Sequence, residues 1–285
     1  MSDFLEQMAA SSRERARLTL EACPESRLLE EALHSPPPPP LRLDRSALPG
    51  GFDLIAELKL RSPAAGLLKS HADDVGDRVR AYAGAGAAAV SVLTEPTRFD
   101  GSMAHLRQAV LALSQLPPAV PVMRKDFLVE PCQVMEARLA GAGGVLLILR
   151  MLSREQLDSL LACARELGLF VLLEAFDARD MERMHELAAG AAPGSMLVGL
   201  NCRDLSSLAV VPERLIELFA LLPATVPRVA ESGVTSARDA ARMAECGYEL
   251  ALVGSALMQG AAPGELAGAM LRAAREAAAR ARSCG

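Results

Sequence analysis

Residues 121–149, PVMRKDFLVEPCQVMEARLAGAGGVLLIL, place two short apolar runs on either side of one amphipathic segment. The runs cover 120–124 and 144–149, and the segment between them, near 131–141, has the length and spacing of a helix. A short apolar run, a helical segment and a second apolar run make up the βα signature. The first run does not end in an ordinary turn. It runs into Arg124-Lys125-Asp126-Phe127, a charged group at the point where a strand would finish.

Working outward, the same alternation repeats from residue 53 onward. The apolar runs fall at 54–58, 88–93, 120–124, 144–149, 170–174, 196–200, 226–230 and 250–253. Helical segments follow near 74–84, 102–114, 131–141, 153–167, 178–189, 212–221, 235–246 and 263–281. Ser153 to Gln156 reads as a capping box, and Gly168 and Gly247 close helices ahead of the next strand. Eight βα units predict an α/β fold, a closed (β/α)8 TIM barrel. The alternative, a doubly wound open sheet, usually has fewer strands and a glycine-rich first turn, which this chain lacks. Residues 4–34 read as two helices, one carrying Phe4, Leu5 and Met8 on a face, the other Leu28, Leu29 and Leu33. Prolines 36–40 form a stiff connector. The expected organisation is a helical extension over 1–50 packed on a barrel over 51–285, a single domain overall.

Composition narrows the function. The chain has 285 residues, 51% hydrophobic and 23% charged, which is ample for a large core and excludes a disordered chain. Aromatic residues are only 3%, with no Trp, so the core is aliphatic and nucleic-acid binding by base stacking is not expected. A net charge of −5 argues against a general polyanion binder, leaving any anionic ligand to a local site. Six scattered Cys with no C-x-x-C pair point to a reduced, cytoplasmic protein. The N-terminal MSDFLEQMAASSRERARL has no basic start or apolar core, and no apolar run reaches a membrane-spanning length, so neither export nor insertion is expected. Of 30 basic residues, 27 are Arg and three are Lys: Lys59, Lys69 and Lys125. Lysine is the one able to give up its proton when its pKa falls, so these three are candidates for proton transfer.

Active sites of such barrels lie at the C-terminal ends of the strands. The first run ends in Glu57 and Lys59, whose i, i+2 spacing aims them to one side, with Ser62 beyond. The third ends in Lys125, the fifth in Glu174 and the sixth in Asn201-Cys202-Arg203. The seventh ends in Glu231-Ser232-Gly233 and the eighth in Gly254-Ser255. Three carboxylates and two lysines on one rim are too concentrated for ordinary surface ion pairs. The two Ser/Gly pairs, after the seventh and eighth strands, occupy the usual phosphate-binding place of these barrels. His34, His71, His105 and His185 have no ligand spacing, so no metal site is expected. Cys202 has no neighbouring strand-end histidine to activate it and reads as a buried small residue.

Seven segments in order, IAELKLRSP (55–63), SVLTEPTRFDGS (91–102), the stretch 121–149, VLLEAFD (171–177), GLNCRDL (199–205), VAESGV (229–234) and LVGSALM (252–258), resemble the indole-3-glycerol phosphate synthase family. The resemblance implies closure of an anthranilate ring onto a ribulose 5-phosphate chain, with loss of CO₂ and water. It implies Lys125 as the acid at the developing alkoxide, Glu174 in dehydration, and Glu57 as a base or an orienting group. Lys59 would neutralise substrate anions or act as a second acid, with two close ammonium groups lowering each other's pKa. Asn201, Arg203 and Glu231 would hold the substrate; Ser232, Gly233, Gly254 and Ser255 would cradle its phosphate; Phe99 and Phe127 would cover its ring. It implies an anionic phosphorylated small-molecule substrate, no metal or organic cofactor, no nucleic-acid or membrane partner, and a monomer, with a weak homodimer as the alternative. The chain departs from the family pattern at SPAAG (62–66), at Leu60 and at Cys202, which bears on loop closure and rate more than on reaction type.

Two other functions fit parts of this pattern. Phosphoribosylanthranilate isomerase is another phosphate-binding barrel with a similar ligand, but it has no use for the RKDF lysine. A non-catalytic barrel that binds a phosphorylated ligand or a partner protein would have lost its acids and bases first, and here they are intact.

Overall fold

Eight parallel strands close into a barrel in the computed structural model, which describes residues 3–43, 51–63, 66–68, 74–205 and 207–283. They are β1 (Asp53–Leu58), β4 (Ala89–Leu93), β5 (Val122–Lys125), β6 (Gly144–Ile148), β7 (Phe170–Ala175), β8 (Met196–Asn201), β9 (Arg228–Glu231) and β10 (Leu250–Val253). A small hairpin, β2 (Arg61–Ser62) and β3 (Gly66–Leu67), leaves the mouth after β1. Closure is through β1, which pairs with β4 on one side (Ile55 opposite Ala89) and with β10 on the other (Asp53 opposite Leu250). No barrel strand is left as an edge, so the buried faces read as continuous apolar runs.

The outer helices are α3 (Val75–Gly84), α5 (Met103–Ser114), α6 (Pro131–Leu139), α7 (Arg154–Glu166), α8 (Ala178–Ala189), α9 (Arg214–Glu217), α10 (Ala237–Cys246) and α12 (Pro263–Ser283). The capping box at Ser153 and Gln156 forms as the sequence predicts. One expected helix, 212–221, is shorter than predicted. It breaks into α9 and a 3₁₀ turn over Phe219–Leu221. Leu222 precedes Pro223 and is extended, which stops the helix. The Leu215 and Leu221 carbonyls instead accept from the Tyr248 hydroxyl at 2.7 Å and the His185 ring at 2.9 Å.

Two further short helices, α4 (Pro96–Phe99) and α11 (Ser255–Gln259), lie in the loops after β4 and β10 at the mouth. They have four and five residues, too few to leave a periodic signature.

The N-terminal helices α1 (Asp3–Ala22) and α2 (Glu25–His34) dock on the barrel beside α6. Leu5, Met8, Ala9 and Ala16 of α1 are buried there, and so are Leu28 and Ala32 of α2. Polar ties reinforce the apolar face: Gln133 donates to Ser12 at 2.8 Å, and Thr19 donates to Glu136 at 2.6 Å. Arg138 of α6 is buried and donates to the carbonyls of Ser35, Pro36 and Leu167. That fork fixes the start of the proline connector.

Candidate active site

At the C-terminal mouth the strand ends enclose a cavity of about 570 Å³. The candidate site residues named above border it: Glu57, Lys59, Ser62, Phe99, Lys125, Phe127, Glu174, Asn201, Arg203, Glu231, Ser232, Gly233, Gly254 and Ser255; Arg124 and Cys202, also at strand ends, do not. Lys69, His71 and Cys284, together with residues 64 and 65 of the SPAAG stretch, lie outside the described residues.

The period of two sorts the RKDF group. Lys125 faces the cavity and Arg124 points outward under α6; Asp126 borders the cavity too, but its carboxylate is turned to Arg15 of α1. Lys125 Nζ is 3.4 Å from Glu231 Oε2 and 3.8 Å from Glu174 Oε2. Glu174 accepts through Oε1 from the Asn201 amide, whose own oxygen accepts from the Arg203 N–H at 3.0 Å. Lys59 Nζ lies 2.6 Å from Glu57 Oε1, so the i, i+2 pair does meet on one side. Glycines make this crowding possible. A Cβ on Gly199 would lie 2.0 Å from Glu231 Oε1, and one on Gly254 would lie 2.1 Å from Glu57 Oε1.

Charge in the cluster is set by burial and by the carboxylates together. Burial raises the Glu231 carboxyl and the Glu174 charge raises it further; Lys125 pulls it back only in part, leaving it at about 8. Its Oε1 is buried and has no protein hydrogen-bond partner. Burial alone would lower the Lys125 ammonium, but Glu174, Glu231 and Glu57 outweigh it and hold the group above its ordinary value. The expectation of a pKa lowered by a second ammonium is therefore corrected for Lys125: the attraction of three carboxylates outweighs its burial and raises it instead. Burial works to raise Glu57, yet Lys59 and Lys125 bring it below the ordinary carboxylate range.

The opposite wall is aromatic. The Phe99 and Phe127 rings lie 6.0 Å apart, and Phe4 of α1 meets Phe127 edge-on at 5.9 Å. Phe4 and Leu5 also border the cavity. Sequence reading put Phe4 on a buried helix face without bringing it to the site, because nothing local says where α1 docks. On the far rim Ser232 and Gly233 both have positive φ, 66° and 73°, and Gly254 precedes the one-turn α11. Backbone N–H groups in such a turn make an anion-binding concavity. Arg203 borders the cavity while its guanidinium donates to the Leu208 carbonyl at 2.7 Å. Cys202 is fully buried with its thiol pushed up to about 11 by burial, in keeping with a packing role. Leu60 is buried, and the neighbouring Arg61 pairs instead with Asp100 at 2.7 Å, tying the β1 loop to the end of α4.

Among the described residues no group of His, Cys, Asp and Glu could hold a metal ion, and no helix is long and apolar enough to cross a membrane.

The family model for indole-3-glycerol phosphate synthase matches residues 18–266. The chain is 42% identical over 228 residues to the indole-3-glycerol phosphate synthase of a Nocardioides species, covering 80% of this chain and 82% of that protein. It is 41% identical over 248 residues to the enzyme of the same name from Micrococcus luteus, covering 85% and 87%. Among solved structures, 3-hexulose-6-phosphate synthase from Salmonella typhimurium superimposes with a TM-score of 0.59 at 17% identity, over 79% of this chain and 99% of that one, a likeness of fold alone. With a matching family model over most of its length and relatives above 40% identity, the chain belongs to the indole-3-glycerol phosphate synthase family.

Proposed function

We propose that the chain closes the pyrrole ring of indole-3-glycerol phosphate from 1-(2-carboxyphenylamino)-1-deoxyribulose 5-phosphate, releasing CO₂ and water. One observation carries the assignment of roles: Lys125 is held between Glu174 and Glu231 on the floor of a cavity with an aromatic wall. The carboxylate-bearing ring carbon attacks the ketone, and Lys125, kept charged by its carboxylates, donates a proton to the alkoxide. Loss of CO₂ restores the aromatic ring and needs little help. The new hydroxyl then leaves as water, with Glu174 moving the proton in that step. Burial and the Glu174 charge raise the Glu231 carboxyl, so a second group able to exchange a proton stands beside the ammonium. Glu57 orients Lys59, which faces the substrate's negative charge. Asn201 and Arg203 hold the sugar chain, with Ser62 at the edge of the mouth. Ser232, Gly233, Gly254 and Ser255 take the phosphate, and Phe99 and Phe127 cover the ring.

Further parts of the proposal concern the whole chain: the helices of 1–50 and the barrel of 51–285 form one folding domain that acts as a monomer. The five described cysteines are unpaired, which fits a reducing cytoplasmic compartment. Incubation of the purified protein with the substrate, followed by indole absorbance, tests the activity. Product should accumulate, and none above background would overturn the assignment. Light scattering behind size exclusion tests the monomer.

A further inference from the structure

A two-point polar contact between α1 and the barrel is aimed at the residue next to Lys125. Arg15 NH1 donates to Asp126 Oδ2 at 2.7 Å and NH2 to Oδ1 at 2.8 Å, a two-point fork across 111 residues of chain. Such parallel bonds fix orientation as well as distance. The Asp126 carboxylate is shut off from solvent and takes three more bonds: the Thr94 hydroxyl at 2.7 Å, Arg124 at 3.2 Å and the Phe127 N–H at 2.8 Å. Thr94 in turn donates its N–H to the Lys125 carbonyl at 3.0 Å. The backbone on both sides of Asp126, bearing the ammonium at 125 and the aromatic wall at 127, is therefore held by one saturated carboxylate. Arg15 supplies two of its five bonds.

We infer that Arg15 is a positioning residue for Lys125, acting through Asp126, so that docking of α1 sets the geometry of the proton donor. The inference rests on the reaction proposed above. Arg15 does not border the cavity, whereas Phe4, from the same helix, does. Its effect should fall on the chemical step more than on substrate capture. The phosphate turn follows β9, which lies across the barrel from β5, with three strands between them on either side. The rest of α1 stays anchored without Arg15, through its buried apolar face and the Ser12 and Thr19 bonds to α6.

The test is Arg15→Met beside Arg15→Lys, with circular dichroism and thermal melting to confirm that both fold. Since displacing a reacting group by about 1 Å can cost 10²-fold, a partly retained contact should lower kcat roughly tenfold in Arg15→Met, with KM within about threefold of the parent. Arg15→Lys, which keeps the charge and one bond, should recover part of the loss. Carbon-13 reductive methylation gives a readout that does not depend on turnover, because the chain has only three lysines. The Lys125 resonance, assigned by its loss in Lys125→Arg, should move in Arg15→Met. An unchanged kcat, or a loss confined to KM with the Lys125 resonance in place, would overturn the inference. A parent protein without turnover would instead defeat the proposed reaction, and the resonance would still decide the positioning role.

Discussion

Lys125 and Glu231 show how far a side chain's chemistry depends on its neighbours. Lysine in water is a poor acid, and burial alone would tend to neutralise it, but three glutamates keep this one charged. Replacing it with alanine removes the proposed proton donor and leaves those carboxylates without their common cation. Lys125→Ala should lower kcat by at least ~10², the range for a positioned acid, with an unchanged far-ultraviolet spectrum. A near-normal rate would place the general acid elsewhere. Glu231 gives the pH signature. Its carboxyl is raised from 4.5 to about 8, so the folded protein binds this proton more tightly than the unfolded chain. The resulting stabilisation is complete below pH 4.5 and is lost as pH rises toward 8. Melting temperature should fall across that window in the parent and fall less in Glu231→Gln. The ionisation near pH 8 in kcat/KM, which belongs to the Glu174–Lys125–Glu231 cluster as a unit, should disappear in the same variant.

At the scale of elements, the junction between β10 and α11 matters for what it leaves out. Gly254 ends the strand and starts a one-turn helix, and its missing side chain is the space that Glu57 and Lys59 fill. Gly254→Ala would put a methyl 2.1 Å from Glu57 Oε1 and 3.1 Å from Lys59 Nζ, so the pair must move. The barrel should still fold, and kcat/KM should fall by roughly 10–10² through displacement of charged groups. Retained activity would show that the Glu57–Lys59 pair has room to shift without loss. Elements this short were not legible beforehand. The long helices and barrel strands carry periodicity, and α9 falls inside the segment expected at 212–221, while α4, α11 and the β2–β3 hairpin are too short to carry one.

For the whole molecule, the N-terminal helices bear most on function. They bring Phe4 to the cavity wall and Arg15 to Asp126, and Arg138 holds the carbonyls where the connector begins. A segment tied by both its apolar face and buried polar bonds should not melt on its own. Calorimetry should show one unfolding transition that includes α1 and α2. An earlier, separate transition would mark the extension as an independent unit and refute the single-domain proposal.

The sequence by itself determined the barrel, because eight apolar runs alternating with helical segments leave few ways to bury every strand. It also marked the rim chemistry, since the strand ends of a barrel converge and residues such as Glu57, Lys125 and Glu231 lie at those ends. Only the tertiary structure decided the protonation of those groups. That depends on distances between side chains from different strands, such as Lys125 Nζ and Glu231 Oε2, and on burial that no local pattern encodes. The part played by α1 was likewise a tertiary decision. Arg15 and Asp126 are 111 residues apart, and nothing in either neighbourhood specifies the other.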